Sequence, residues 1–242
     1  MKNFIEIKEL KKVFGNGDDE VHAFGPATIN INAGEFVSVL GPSGCGKSTL
    51  MLMVAGLLDS TSGKVEFENK LVNGPKTDIG IMFQDNTLVP WRTVKGNIEL
   101  QLELRGLNLK DYQEQINNIL KSVNLDDFAD RFPNELSGGM QQRAAFCQAM
   151  IHDPKIILLD EPLGKLDAMT REKIRADFQK LWMVKKPTVI FVTHSIEEAV
   201  QLSNRVILIT PRPGKIDREI NIDLPYPRDL KIKRSPKFTE YV

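Results

Sequence analysis

Cysteine is nearly absent: 242 residues hold only Cys45 and Cys147. Two such distant residues fit neither a disulfide framework nor a metal-ligand spacing, which points to a reducing compartment. Excess charge is absent as well. Thirty-two basic residues balance thirty-two acidic ones, so no bulk field argues for a nucleic acid partner or an anionic membrane. No run approaches the roughly 20 apolar residues needed to cross a bilayer. The opening "MKNFIEIKELKK" alternates like a strand and lacks the apolar heart of a signal peptide. Internal repeats, low-complexity tracts and long Gly/Ser linkers are missing too. What is there is an ordinary globular mixture, 41% hydrophobic and 26% charged, in a length that suits one large domain or a domain with an inserted lobe.

Short apolar or alternating runs predict strands at "NFIEIKEL", "ATINI", "FVSVL", "KVEF" and "IGIMF". From about Asp85 to Asp153 helical periodicity takes over, with Tyr112, Ile116, Ile119 and Val123 on one face and Met140, Ala144, Cys147 and Ile151 on another. Alternation returns with "KIILLD", a helix around Ile174, Phe178 and Leu181, and "TVIFVTH". A capping-box spacing at Ser195 to Glu198 and the strand "RVILI" follow. All-apolar strands alternating with helices imply a parallel sheet covered on both faces. We therefore expect an α/β core over 1–84 and 154–214, a helical lobe over 85–153, and a short polar tail over 215–242 whose basic end, "RDLKIKRSPK", is read as solvated, with contact to anionic lipid the lesser alternative.

The densest chemistry is "GPSGCGKST". Gly41, Pro42, Ser43, Gly44, Cys45, Gly46, Lys47 and Ser48 satisfy the phosphate-loop pattern, Thr49 follows, a strand leads in and a helix leads out. Lys47 at a helix start conflicts with the helix dipole unless an anion sits beside it. In this context Lys47 meets the β- and γ-phosphates of a nucleotide and the Ser48 hydroxyl ligates Mg²⁺. Asp160 ends the apolar run "IILLD" at the strand edge where open α/β sheets bind ligands, and is expected to serve Mg²⁺. Glu161 beside it is placed to polarise the attacking water. His194 ends "VIFVT" and can reach the γ-phosphate or that water; His22 and His152 are read as ordinary structural residues. Gln84 closes the "IGIMF" strand, where a carboxamide can touch Mg²⁺ or water. Cys45, lying among loop N–H groups, is expected to be a reactive thiol whose alkylation blocks hydrolysis.

A second anion-ready helix start, Ser137–Gly138–Gly139 in "ELSGGMQQR", has no obvious use in a protein holding one nucleotide. It is reconciled with the phosphate loop if one of the two works in trans.

Together these segments resemble the ATP-binding subunit of an ABC transporter. Gly41 to Ser48 matches the family's Walker A, Gln84 its Q-loop, Leu136 to Gln142 its signature, Asp160 and Glu161 its Walker B and catalytic Glu, Asp167 its D-loop, and His194 its switch His. The resemblance implies a P-loop NTPase (RecA-like) core with an N-terminal antiparallel β subdomain and an inserted α-helical subdomain. Phe14 aligns with the aromatic that stacks on adenine, unless it is a core residue. The family's logic is a head-to-tail dimer with a second copy of the chain, in which Ser137, Gly138 and Gly139 grip the ATP on the partner's Walker A and Asp167 lies at the seam. Hydrolysis then separates the halves and drives separate transmembrane permease subunits, with an external solute-binding protein acting indirectly. This places the chain at the cytoplasmic face of the membrane, held peripherally. Two stretches, "NTLVPWRTVKGNI" and "TPRPGKIDREINIDLPYPRD", resemble importers of the nitrate/sulfonate/taurine group, which also includes carriers of pyrimidine-type precursors. Val89, Pro90 and Trp91 become candidate docking residues for the permease, with Trp91 as lobe core the competing reading. Lys165 and Gln148 depart from the family pattern; Gln148 is expected to be a harmless change on a helix surface. A repair or translation ABC ATPase, a phosphotransferase and a silent binding module fit less well, because the catalytic residues are all present and no long coiled coil separates Walker A from the signature.

Overall fold

The computed structural model describes residues 4–242, the Asp18 side chain excepted; the first residue of the strand expected at "NFIEIKEL", Asn3, lies outside them. In chain order the elements are β1 (Ile5–Phe14), β2 (Val21–Ile31), β3 (Phe36–Leu40), α1 (Lys47–Val54), β4 (Ser62–Phe67), β5 (Lys70–Leu71), β6 (Ile79–Met82), α2 (Val94–Glu103), α3 (Gln113–Ser122), α4 (Gly138–Met150), β7 (Ile156–Asp160), α5 (Ala168–Lys185), β8 (Thr188–Thr193), α6 (Ile196–Leu202), β9 (Arg205–Ile209), β10 (Ile216–Asn221), α7 (Leu230–Lys233) and α8 (Pro236–Tyr241). Contacts divide them into two compact units, one made of residues 1–76 and 186–242, the other of residues 77–185. Among the described residues no helix is long and apolar enough to cross a membrane.

In the first unit, β2, β1, β4 and β5 form an antiparallel sheet. β1 runs four residues past the expected end. Its pairing slips between Ile7 and Leu10 and again after Leu10, and Glu9 takes a positive φ of 47°. Such bulges insert extra residues and break the two-residue period. β3 pairs in parallel with both β8 and β9. Every residue of β3 and β8 is buried, which is why both read as largely apolar runs, with Ser38 inside β3 and a threonine at each end of β8.

The expected solvated tail is corrected here. β10 extends the sheet antiparallel to β9, and Ile222, Leu224 and Phe238 join Leu40, Ala199, Val200 and Val206 in one buried cluster. Arg228 is 1% exposed. Its guanidinium donates to the carbonyls of Val200 (2.5 Å), Ser203 (2.7 Å) and Ile222 (3.2 Å) and stacks 4.2 Å from the Tyr226 ring centroid. The physical reason is the end of α6, where the last carbonyls have no helical donor and Arg228 supplies one.

In the second unit, β6 and β7 pair in parallel beside α2 to α5. The Phe146 ring of α4 stacks on Phe178 of α5 at 3.9 Å. From Ala144 to Met150, α4 is buried all round. That overturns the surface placement of Gln148, which is 7% exposed and donates from Nε2 to the Asn97 carbonyl of α2 at 3.1 Å.

Candidate functional site

The first unit builds the phosphate-loop segment. β3 delivers Leu40 to the edge of the parallel strands, the chain loops through 41–46, and α1 begins at Lys47. Gly46 caps α1 with φ of 97°, and a Cβ there would sit 2.3 Å from the Ala23 carbonyl oxygen. Only glycine fits such a left-handed, crowded place. Lys47 is 3% exposed; its Nζ curls back to donate to the carbonyls of Gly41 (3.0 Å) and Pro42 (2.9 Å). Pro42, Ser43, Gly44 and Ser48 are open to solvent, and Gly41 and Thr49 are half-buried. Cys45 is not open: it is 1% exposed, and a Cβ on Gly41 would lie 3.0 Å from its Sγ. The expected reactive thiol is therefore an enclosed packing residue, shielded from an alkylating reagent.

Register brings His194 to the same edge. Thr193 pairs with Leu40, so the phosphate loop and His194 leave neighbouring parallel strands side by side. His194 is exposed. Ser195 caps α6 by accepting from the Glu198 N–H (3.4 Å), while the Thr193 hydroxyl donates to the Glu198 carboxylate (2.6 Å). Phe14 ends β1 and is 43% exposed, which excludes the core reading. Lys12 Nζ lies 5.0 Å from that ring's centroid.

The second unit carries the other residues. Met82 pairs with Leu159, so Gln84 and Asp160 also leave one strand edge together. Gln84 is exposed and Asp160 is 7% exposed. Glu161 follows with a positive φ of 42°, a conformation that costs a non-glycine residue about 1–3 kcal/mol and gathers at working sites. The turn closes with Gly164 N–H donating to the Glu161 carbonyl at 3.1 Å. Asp167 accepts from the Thr170 N–H at 3.0 Å at the start of α5; a hydrogen bond from the Thr170 side chain, then that backbone bond, hold its carboxyl below the ordinary aspartate range. Ser137 caps α4 through the Met140 N–H (3.4 Å). Ser137 and Gly138 are exposed, whereas a Cβ on Gly139 would meet Thr170 Cγ2 at 2.3 Å. The helix start is thus open on one side and closely packed on the other. Lys165 pairs with Asp85.

Two roles escaped the sequence reading, those of Asn97 and Gln141. Asn97, fully buried, accepts from the Val89 N–H (2.6 Å) and donates to the carbonyls of Val89, Arg92 and Thr93. It braces the turn that presents Pro90 and Trp91, and Trp91 is 77% exposed, which excludes it as lobe core. Gln141 donates to the Pro133 carbonyl (2.7 Å) and accepts from Asn86 (2.8 Å), joining the signature segment to the stretch after Gln84. A buried amide inside a helical pattern was the available signal, since such a group must find partners.

Comparison with known proteins agrees with this geometry. A family profile described as ABC transporter matches residues 24–164. An uncharacterized ABC transporter ATP-binding protein of Methanocaldococcus jannaschii is 44% identical over 241 residues, covering 100% of this chain and 89% of its own. A taurine import ATP-binding protein of Jannaschia sp. is 43% identical, covering 91% of this chain and 84% of its own. An aliphatic sulfonates import ATP-binding protein of Bacillus cereus is 40% identical, covering 98% and 92%. A solved dimeric structure of a post-hydrolysis ATP-binding cassette bound to ADP and Pi superposes with a TM-score of 0.79 at 34% identity, covering 91% of this chain and 99% of that one. With the P-loop NTPase fold, the open phosphate loop and these relatives agreeing, the chain belongs to the ABC transporter family as an ATP-binding, ATP-hydrolysing subunit.

Proposed function

We propose that this subunit works as a head-to-tail pair, each copy binding ATP on its own phosphate loop and closing the partner's ATP with its signature segment. Two anion-ready helix starts, one in each compact unit, are the observation that carries the reading. The solved dimeric relatives support it. In the closed pair, Lys47 and the loop N–H groups hold the β- and γ-phosphates of the chain's own nucleotide, and Phe14 stacks on the base. Ser137, Gly138 and Gly139 donate to the γ-phosphate of the partner's nucleotide, with Asp167 close to the seam. Glu161 polarises the attacking water, and His194 and Gln84 orient it.

Ser48, Asp160 and Gln84 offer a hydroxyl, a carboxylate enclosed at the end of β7 and an amide oxygen. Oxygen donors of these kinds suit Mg²⁺, which usually keeps few protein ligands and takes the rest from phosphate and water. Held by these residues, Mg²⁺ would supply positive charge against the nucleotide's phosphates.

Loss of the shared γ-phosphate releases the pair, and this two-state motion drives a separate permease at the membrane's cytoplasmic face. The exposed turn of Val89, Pro90 and Trp91 is the docking element, braced from beneath by Asn97. The solute is a small sulfonate of the taurine or alkanesulfonate type, in keeping with the names of the relatives.

Glu161→Gln with Mg²⁺ and ATP tests the pair directly. Light scattering should show a stable dimer with ATP trapped and hydrolysis nearly abolished. A Glu161→Gln protein that stays monomeric at saturating ATP and hydrolyses at the wild-type rate would sink the reading.

A further inference from the structure

The segment Thr210–Lys215, which leaves β9 and opens the stretch "TPRPGKIDREINIDLPYPRD", lies outside the nucleotide-binding motifs, yet it reaches the phosphate loop. Its turn is closed within itself. The Thr210 N–H donates to the Lys215 carbonyl (2.9 Å), the Lys215 N–H to the Thr210 hydroxyl (3.0 Å), and that hydroxyl to the Pro213 carbonyl (3.1 Å). It is also tied to β2, because the Gly25 N–H donates to the Gly214 carbonyl at 2.7 Å. From this anchored turn, the Arg212 guanidinium donates through Nε and a terminal nitrogen to the Gly44 carbonyl, at 3.3 and 3.2 Å. Two residues on, Gly214 lies so close to the next carbonyl that a Cβ there would sit 1.9 Å from the Cys45 oxygen.

Those two carbonyls belong to consecutive peptide planes, Gly44–Cys45 and Cys45–Gly46. A trans peptide is rigid and points its N–H opposite its C=O. Whatever holds the Gly44 and Cys45 carbonyls outward therefore aims the Cys45 and Gly46 N–H groups the other way. Gly44, at φ of 76°, has no side chain to resist rotation of its plane. An outside grip is what fixes it. A charged donor on a carbonyl makes a stronger bond than a neutral one.

From this geometry we propose that Arg212 is a positioning residue for nucleotide phosphate. It locks the Gly44–Cys45 plane so that the loop N–H groups are preset for the β-phosphate before the nucleotide arrives. The inference rests on the ATP-site reading and adds a residue outside its motifs. Arg212 does not touch the reacting atoms, so its removal costs affinity for phosphate-bearing ligands and leaves the chemical step alone. Lysine places a single donor on the same carbonyl and restores part of the effect.

The experiment is calorimetric titration of the full chain with ATP, ADP and adenosine, paired with steady-state hydrolysis, for wild type, Arg212→Ala and Arg212→Lys. Arg212→Ala should weaken ATP and ADP about fivefold, the size of one hydrogen bond, and raise KM by the same factor. Adenosine affinity, kcat and the melting temperature of the ligand-free protein should stay at wild-type values, and Arg212→Lys should recover at least half the lost affinity. Unchanged ATP and ADP affinity in Arg212→Ala overturns the proposal. So does a parallel loss for adenosine or a fall in ligand-free melting temperature, since either marks a merely structural contact. A wild-type chain that binds none of the three ligands would instead overturn the ATP-site reading on which this rests.

Discussion

At the start of α1 the chain enters its helix through a left-handed Gly46 and at once buries Lys47, whose ammonium folds over the loop's own carbonyls. At the start of α4 the entry is an extended Ser137 followed by an exposed Gly138, with no lysine or arginine in the first turn. Both starts expose N–H groups to an anion, but only the first brings a cation with it. The first can therefore hold a polyphosphate by itself. The second offers dipoles alone and is strong enough only for an anion that something else already holds, which is the division of labour expected of a site shared between two copies.

Several substitutions would break or sharpen that contrast. The largest effect should come from the chemistry both starts serve. Glu161→Gln removes the base, and general-base catalysis contributes about 10²–10⁴-fold, so phosphate release should fall by that order while ATP remains bound. Next is Gly138→Asp. The space is open, with Leu166 Cδ2 as the nearest atom at 3.7 Å, so the protein should melt normally. Hydrolysis should drop about 10²-fold or more, because a carboxylate placed beside the N–H donors repels the γ-phosphate they would hold, while ATP affinity of the isolated copy is retained. If that affinity fell as well, the two starts would not be independent. At the first start even a methyl is excluded: Gly46→Ala puts Cβ 2.3 Å from the Ala23 oxygen at a positive φ. A loss of about 1–3 kcal/mol in chemical denaturation is expected.

The smallest effect concerns the far end of α4. His152 follows that helix, and burial, then the Arg105 guanidinium 3.1 Å away, push its imidazole down to about 4. The folded state therefore stays neutral at pH values where the unfolded chain, with a pKa near 6.5, already binds the proton. Stability should fall as pH drops from about 6.5 to about 4. His152→Gln should flatten that slope in melting scans, and an unchanged slope would remove His152 as its source.

The candidate site segments were legible because each is a run of consecutive residues whose spacing alone fixes its place in the fold. Gly41–Thr49, Ser137–Gly139 and Asp160–Glu161 all sit at the element ends the pattern required. What escaped depended on partners distant in sequence. Nothing near Arg228 announces that it will fill the open end of α6, and the alternation of Ile216, Ile220, Ile222 and Leu224 was masked by the charges between them. Gln148 and Cys45 looked accessible because periodicity and loop chemistry say nothing about a second layer closing over them. Phe14 and Trp91 were undecided between core and surface until burial could be read. The bulged pairing of β1 hid the true end of that strand, since a bulge erases the alternation that sequence reading depends on.

The division into two units has a consequence for how this chain comes off the ribosome. Residues 77–185 are contiguous, whereas the other unit joins 1–76 to 186–242. β3, made early, obtains its parallel neighbours only from β8 and β9. Some 150 residues of synthesis therefore separate a bare, largely apolar strand from the partners that cover it, at about 5–20 residues per second. The phosphate loop is among the first parts translated and among the last to take shape, so growing chains pass through a vulnerable interval in which chaperones have something to hold.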